Sequence, residues 1–178
     1  MKNKRVIPAL VLLAALFFAQ PAAAKEKPAA DKRNKTFKSD LDADAKFEVI
    51  QVIPAVDLAG ETQVKIAKRD RTEIGNFSVP GKFSRLEIID LNEDGYKQMA
   101  VYCAGENGFT NLAVYNLKNG RLSKVFAAGS SYGIDTDFRS VLARIRVGRQ
   151  CKVADRNSYT DIPEWDVWIW SGEKFIKQ

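Results

Sequence analysis

The chain has 178 residues, with 28 Lys and Arg against 22 Asp and Glu, and no histidine. The missing histidine removes the commonest general base, the usual zinc ligand and any Ser-His triad. A formal charge of +6 includes three positives in the first five residues, leaving 6 − 3 = +3, too mild a balance to point to nucleic acid.

Residues 1–24 read as a secretory signal peptide. Lys2, Lys4 and Arg5 form the positive start, Val6 to Phe18 the apolar segment, and Ala22-Ala23-Ala24 the small residues before cleavage at Lys25. The apolar segment is too short for a membrane span, and no later segment approaches that length. The expected address is the periplasm or the medium. Lys25 to Lys46 is polar and highly charged with few large apolar residues, so 25–46 is expected to be a disordered charged linker. Its basic cluster, Lys32, Arg33, Lys35 and Lys38, reads as solvated.

From Phe47 onward the texture is that of short strands, and 47–178 is expected to form a single β domain. Phe47 to Ile53 ends at Pro54, Val64 and Ile66 alternate with polar residues, and Ile74 to Val79 stops at Pro80-Gly81. Phe83 to Ile89 and Gln98 to Cys103 follow. Leu112 to Leu117 and Leu122 to Phe126 flank Asn119-Gly120, the strongest short-range hairpin signal. Ala143, Ile145 and Val147 alternate with arginines, and Trp165 to Trp170 meets Phe175-Ile176 across Ser171-Gly172. Asp137 to Arg144 is the one stretch that admits a helical turn or two. The class is all-β and antiparallel.

Between the runs ending at Ile89 and starting at Gln98 lies Asp90-Leu91-Asn92-Glu93-Asp94-Gly95. Oxygen-bearing side chains at alternate positions, followed by Gly at the bend, suit a short loop that wraps calcium. The plain alternative is an Asp-Gly turn whose side chains cap their own backbone. Two cysteines, Cys103 and Cys151, form an even count in an oxidising compartment, and a disulfide between them is expected. Closing that loop is worth roughly 4 kcal/mol on the chain-entropy account.

Ile89 to Tyr102 resembles the FG-GAP/VCBS-type repeat of integrin-α-like propellers, and Leu112 to Gly120 is similar to the outer hairpin of such a blade. The resemblance covers about residues 84–127. It implies blade-like sheets and a calcium loop with Asp90, Asn92, Asp94, the Tyr96 carbonyl and the Gln98 amide oxygen as ligands. Gln98 stands where the family places an acid, and Val101 excludes a helix-loop-helix calcium site, which needs Glu there. With two charged ligands the site is expected to be weak, roughly 10⁻⁴ to 10⁻³ M. The ordered length holds two or three blades, so a small sandwich or an open blade-like stack is expected rather than a complete propeller.

Trp168 and Trp170 share one strand face, with Trp165, Val167 and Ile169 on the other. A buried central strand and an exposed platform for a sugar or protein are both open. Asp135, Asp137, Asp161, Glu164 and Asp166 are the acids from which a carboxylate hydrolase would have to be built. Tyr132, between Gly129 and Gly133, together with Asp135 and Asp137, marks a loop suited to recognition. The functional expectation is an exported, non-enzymatic module that binds a protein or glycan of the cell envelope, with calcium as a structural aid. The alternatives are a carboxylate-dependent envelope hydrolase and a small periplasmic hydrolase inhibitor.

Overall fold

The computed structural model describes residues 34–139, 142–155 and 158–178, with backbone only for 151–163. The expected signal peptide and cleavage site lie outside the described residues. Among the described residues, twelve strands form three four-stranded antiparallel sheets, each a meander in chain order. The first sheet holds β1 (Lys35–Ser39), β2 (Glu48–Ile53), β3 (Glu61–Ala67) and β4 (Glu73–Pro80). The second holds β5 (Lys82–Ile89), β6 (Gln98–Ala104), β7 (Thr110–Lys118) and β8 (Arg121–Ser130). The third holds β9 (Ile134–Asp137), β10 (Arg144–Asp155), β11 (Ser158–Trp170) and β12 (Phe175–Lys177). None closes into a barrel or a propeller.

The second sheet is the middle layer. On one side Met99, Val101 and Cys103 meet Ile50, Val52, Val64 and Ile66 of the first sheet. On the other, Ala100, Tyr102 and Leu112 meet Ile145, Trp170 and Phe175 of the third. Period-two alternation sends successive side chains of β6 into opposite cores. That is why Met99-Ala100-Val101-Tyr102-Cys103 carries no polar residue: neither face of this strand reaches water. Each fully buried Val or Met there contributes roughly 1.5–3 kcal/mol. The Asn119-Gly120 hairpin forms with φ of 53° and 68°, the pair of left-handed residues a tight two-residue turn requires.

One expectation changes. The chain is ordered well before Phe47. Lys35–Ser39 pairs with β2 from Lys35↔Val52 to Ser39↔Glu48. Phe37 packs on the first core, and Leu41 inside it is 0% exposed. The linker reading therefore fails from Asn34 onward. An edge strand needs only one inward apolar residue, and charged residues such as Lys35 and Lys38 are what keeps such an edge from pairing further. In the stretch Asp137 to Arg144, β9 ends at Asp137 and β10 begins at Arg144, in antiparallel register with each other.

Candidate functional site

The Asp90 loop joins β5 to β6, as expected, and the five expected ligands come together. They bond largely to one another. Asp90 Oδ2 accepts the Gly95 N–H (2.8 Å), and Asp94 Oδ1 accepts the Tyr96 N–H (3.0 Å). Asn92 Nδ2 donates to Asp94 Oδ2 (3.0 Å). Gln98, 1% exposed, accepts the Leu91 N–H at Oε1 (3.0 Å) and donates from Nε2 to the Tyr96 carbonyl (3.1 Å). Two bonds fix that amide's orientation. Its N–H₂ occupies the carbonyl that would face a cation, so the loop closes with its own donors. One atom, Asp90 Oδ1, is buried without a partner.

The same loop occurs once more, between β1 and β2, with Asp40 to Lys46 in the expected linker and Phe47 and Glu48 in the expected β domain. Asp40-Leu41-Asp42-Ala43-Asp44-Ala45-Lys46-Phe47-Glu48 aligns with Asp90 to Gln98 at an offset of 90 − 40 = 50 residues. Three side-chain-to-backbone hydrogen bonds recur at matching positions. Asp40 Oδ2 accepts the Ala45 N–H (3.0 Å), Asp44 Oδ1 the Lys46 N–H (2.8 Å), and Glu48 Oε2 the Leu41 N–H (2.8 Å). The backbone repeats as well: φ is 60° at Ala43 and 56° at Glu93, 62° at Ala45 and 88° at Gly95. The two loops abut, the Lys97 N–H donating to the Leu41 carbonyl (3.0 Å).

The chemistry differs at the ninth position. Glu48 lies on the inward face of β2 in line with Ile50 and Val52, so the strand's period buries it at 4% exposure. Burial pushes its carboxyl above the ordinary value. The Leu41 N–H pulls the other way, and the charges of Asp42 and Asp44 add to the rise. Ligand oxygens of Asp40, Asp42 and Glu48 lie within 4.8 Å of one another. Asp40 Oδ1 and Asp42 Oδ1 are closed off from solvent and accept no hydrogen bond.

The other candidate acids serve as ion-pair partners. Asp135 pairs with Arg146, and Asp137 with Arg144 (3.4 Å), across the β9–β10 register. Arg149 bridges Glu164 (2.6 Å) and Asp166 (3.4 Å), and Lys177 also reaches Asp166 (3.0 Å). Arg144, Arg146 and Arg149 of β10 are thereby each neutralised by acids of the neighbouring strands. Asp90, Asp135 and Asp137 do line one open cleft, with Arg85 and Arg139 among them. The side chain of Asp161 lies outside the described residues.

The tryptophans divide between core and surface. Trp170 is buried and tilted against Phe175, with ring centroids 5.2 Å apart. Trp168 is half-buried and edge-on to Phe126 at 5.4 Å. Neither forms a platform, because β11 is an interior strand of its sheet with the second core beneath it. Trp165 instead is exposed, with the Arg146 guanidinium 5.6 Å from its ring centroid.

Trp165 belongs to the end of the molecule opposite the acidic loops. Gly148 faces Trp165 in register and donates its N–H to the Gly133 carbonyl. A Cβ there would meet Tyr132. The Phe109 ring lies on Gly129, and the Ser130 hydroxyl donates to the Gly148 carbonyl. Gly81, against Gly60 and Ala104, ties in the β2–β3 loop with Val56 and Leu58. Val56, Leu58, Phe109, Tyr132 and Trp165 are all exposed at this end. Among the described residues the other exposed large apolar side chains are Leu142 and Ile176.

The expected disulfide is not formed: Cys103 is a free, buried thiol. Alternation along β6 turns it toward the first sheet, into the core with Val64 and Ile66, whereas Cys151 stands on β10 of the third sheet, beyond the opposite face. The Cys151 side chain lies outside the described residues.

Among the described residues no helix is long and apolar enough to cross a membrane. No family model matches the chain, and no curated protein matches it. Among solved structures the chain is similar to PliI-Ah, a periplasmic lysozyme inhibitor of I-type lysozyme from Aeromonas hydrophyla. Identity is 15%, coverage 52% of this chain and 87% of that one, and the TM-score 0.42. A likeness of that size assigns neither a family nor a partner to this chain.

Proposed function

We propose that this chain is an exported, non-enzymatic module that binds another protein through the end carrying Val56, Leu58, Phe109, Tyr132 and Trp165. The observation that carries the reading is the gathering of those five exposed apolar side chains at one end, four on loops and Trp165 on β11. Aromatic residues on loops held by a rigid sheet stack are typical anchors of a protein interface. A protein fits better than a glycan. Val56 and Leu58 offer no hydrogen bond to a sugar hydroxyl, and Trp168 and Trp170, the residues suited to stacking on a sugar ring, are packed against Phe126 and Phe175.

The hydrolase reading loses ground because Asp135, Asp137, Glu164 and Asp166 are each committed to an arginine. Such pairing holds strands in register and leaves none of the four free to trade a proton with a substrate. An inhibitor of a hydrolase is one form of the protein-binding reading. The calcium site that the FG-GAP/VCBS resemblance implies for the Asp90 loop stays a weak one at best, since Gln98 occupies the Tyr96 carbonyl.

The test is capture from envelope extract, identification of the partner, and titration of the purified partner with wild type and with Phe109→Ala/Tyr132→Ala. Purified lysozymes form a separate arm, read as loss of lysis. The double variant is expected to weaken binding at least about tenfold, about 1.4 kcal/mol, with its circular dichroism unchanged. Equal binding by both proteins would remove the loop end from the interface. Glycan cleavage that disappears with Asp135→Asn would restore the hydrolase.

A further inference from the structure

The first acidic loop contains a feature that the protein-binding reading does not use. Asp40, Asp42, Asp44 and Glu48 place four carboxylates within nine residues. Asp40, Asp42 and Glu48 converge, with one oxygen of each within 4.8 Å of the others. Oxygens on opposite sides of a calcium ion at about 2.4 Å stand about 4.8 Å apart, so three oxygens no farther apart than that can share one calcium ion. Acidic side chains gathered on a surface would turn outward and hydrate. Here Glu48 is 4% exposed and aimed inward, and two oxygens, Asp40 Oδ1 and Asp42 Oδ1, are closed off from solvent and accept no hydrogen bond. The neighbouring cation, Lys46, pairs with the outer oxygen of Asp44 at 3.5 Å in an exposed contact. An unpartnered buried carboxylate oxygen is costly, and several facing one another more so.

We propose that the Asp40–Glu48 loop is a binding site for a hard divalent cation of calcium's size. The donors are all oxygen, with no sulfur or nitrogen ligand to favour zinc or copper. Several carboxylates on a flexible loop suit calcium better than magnesium, which demands a tighter octahedron and retains its waters. The second loop supplies an internal control. There Gln98 replaces Glu48 and donates to the Tyr96 carbonyl (3.1 Å), and Asn92 replaces Asp42 and donates to Asp94 (3.0 Å). With those two amide donors the second loop keeps one buried unpartnered oxygen, Asp90 Oδ1, where the first keeps two, Asp40 Oδ1 and Asp42 Oδ1. An ionised Glu48 has no proton to offer the Lys46 carbonyl, which is therefore the backbone ligand expected to join the ring.

The test uses the whole exported chain, stripped with a chelator and titrated with calcium, magnesium and sodium chloride. Calorimetry reads binding, and thermal unfolding reads linkage. Wild type should bind one calcium, at least about tenfold more tightly than magnesium. About 5 mM calcium should raise its Tm by at least about 5 °C. Glu48→Gln should fold, since Gln98 holds the equivalent place in the second loop and its Oε1 accepts the same type of N–H. That variant should lose the calcium heat and the calcium shift, yet melt higher than wild type in chelator. A merely structural Glu48 would not give this crossing of the two curves. Asp94→Asn should leave calcium binding unchanged. Several results overturn the assignment: no calcium heat or shift in wild type, the same shift with sodium chloride at equal ionic strength, calcium binding retained by Glu48→Gln, or binding lost in Asp94→Asn.

Discussion

The two acidic loops are built on one plan and satisfied in two ways. Each follows the first strand of its sheet, and each sends a leucine into a core, Leu41 into the first and Leu91 into the second. Each also uses the side chain at its ninth position to hold the N–H of that leucine. In the Asp90 loop the ninth side chain is an amide, which both accepts and donates, and the loop closes on itself except at Asp90 Oδ1. In the Asp40 loop it is a carboxylate, which only accepts when ionised, and two neighbouring oxygens go unpaired. Two changes from amide to acid, Asn92 to Asp42 and Gln98 to Glu48, thus separate a largely self-capped turn from a charged ring.

The largest effect should come from the leucines. Leu41→Ala is expected to destabilise by about 2–5 kcal/mol, the cost of an unfilled cavity at a fully buried site, measured by urea unfolding. Leu91→Ala should fall in the same range. A near-zero value at Leu41 alone would return residues 34–46 to the status of a tether and end the likeness of the two loops.

Next is the conversion of the second loop into the first. Gln98→Glu removes the donor to the Tyr96 carbonyl and adds a buried charge beside Asp90, and should destabilise the chelated protein by about 1–3 kcal/mol. Calcium should recover part of that loss. If chelated Gln98→Glu unfolds at the same urea concentration as wild type, the ninth position does not decide between the two states.

The sixth position should show a smaller and opposite pair of effects. Gly95 has a φ of 88°, and a Cβ there would sit 3.2 Å from the Ala43 Cβ. Gly95→Ala should therefore cost about 1 kcal/mol. Ala45 already carries its Cβ at a φ of 62°, so Ala45→Gly should be neutral or slightly stabilising, because relief of the left-handed strain offsets the added chain entropy. Loss of stability on Ala45→Gly would mean that the two backbones are not equivalent.

The smallest effect concerns the core beneath the loops. Burial pushes the Cys103 thiol up, with Thr62 pulling weakly the other way, and also pushes up the Tyr102 and Tyr115 hydroxyls. In each case the folded chain keeps a proton that the unfolded chain releases first. Stability is therefore full below the ordinary values and is lost as pH rises past about 9. A thiol reagent at pH 8 should label Cys103 only as fast as the protein unfolds. Rapid labelling of the native chain would place that thiol outside the core.

Much of the fold was legible because the second and third sheets are made of conspicuous signals. Asn119-Gly120 marked its hairpin, and the uninterrupted apolar run of β6 marked a strand with no wet face. The half of the site that mattered was not legible, for reasons visible in its residues. The Asp40 loop has Ala43 and Ala45, not glycine, at its left-handed positions, so nothing in its composition announces a turn. Its preceding strand, Lys-Thr-Phe-Lys-Ser, is an edge whose charge reads as disorder. The offset of 50 residues between Asp40-Leu41-Asp42 and Asp90-Leu91-Asn92 is the one signal of the loop that the sequence carries. The cysteine pairing failed for another reason. An even count says nothing about which face of a strand a thiol occupies, and that is set by the alternation of β6 between two cores.

The central claim is that a cation belongs to the Asp40 loop and not to its copy, and amide NMR during a calcium titration of the chelated protein tests it most directly. The N–H groups of Leu41, Ala45 and Lys46 donate to carboxylates of the first loop, and those of Leu91, Gly95 and Tyr96 make the matching bonds in the second. The account predicts that the first three resonances move together and saturate at one calcium per chain, while the second three shift far less. Saturating shifts confined to Leu91, Gly95 and Tyr96, or unsaturable drift of all six, would contradict it.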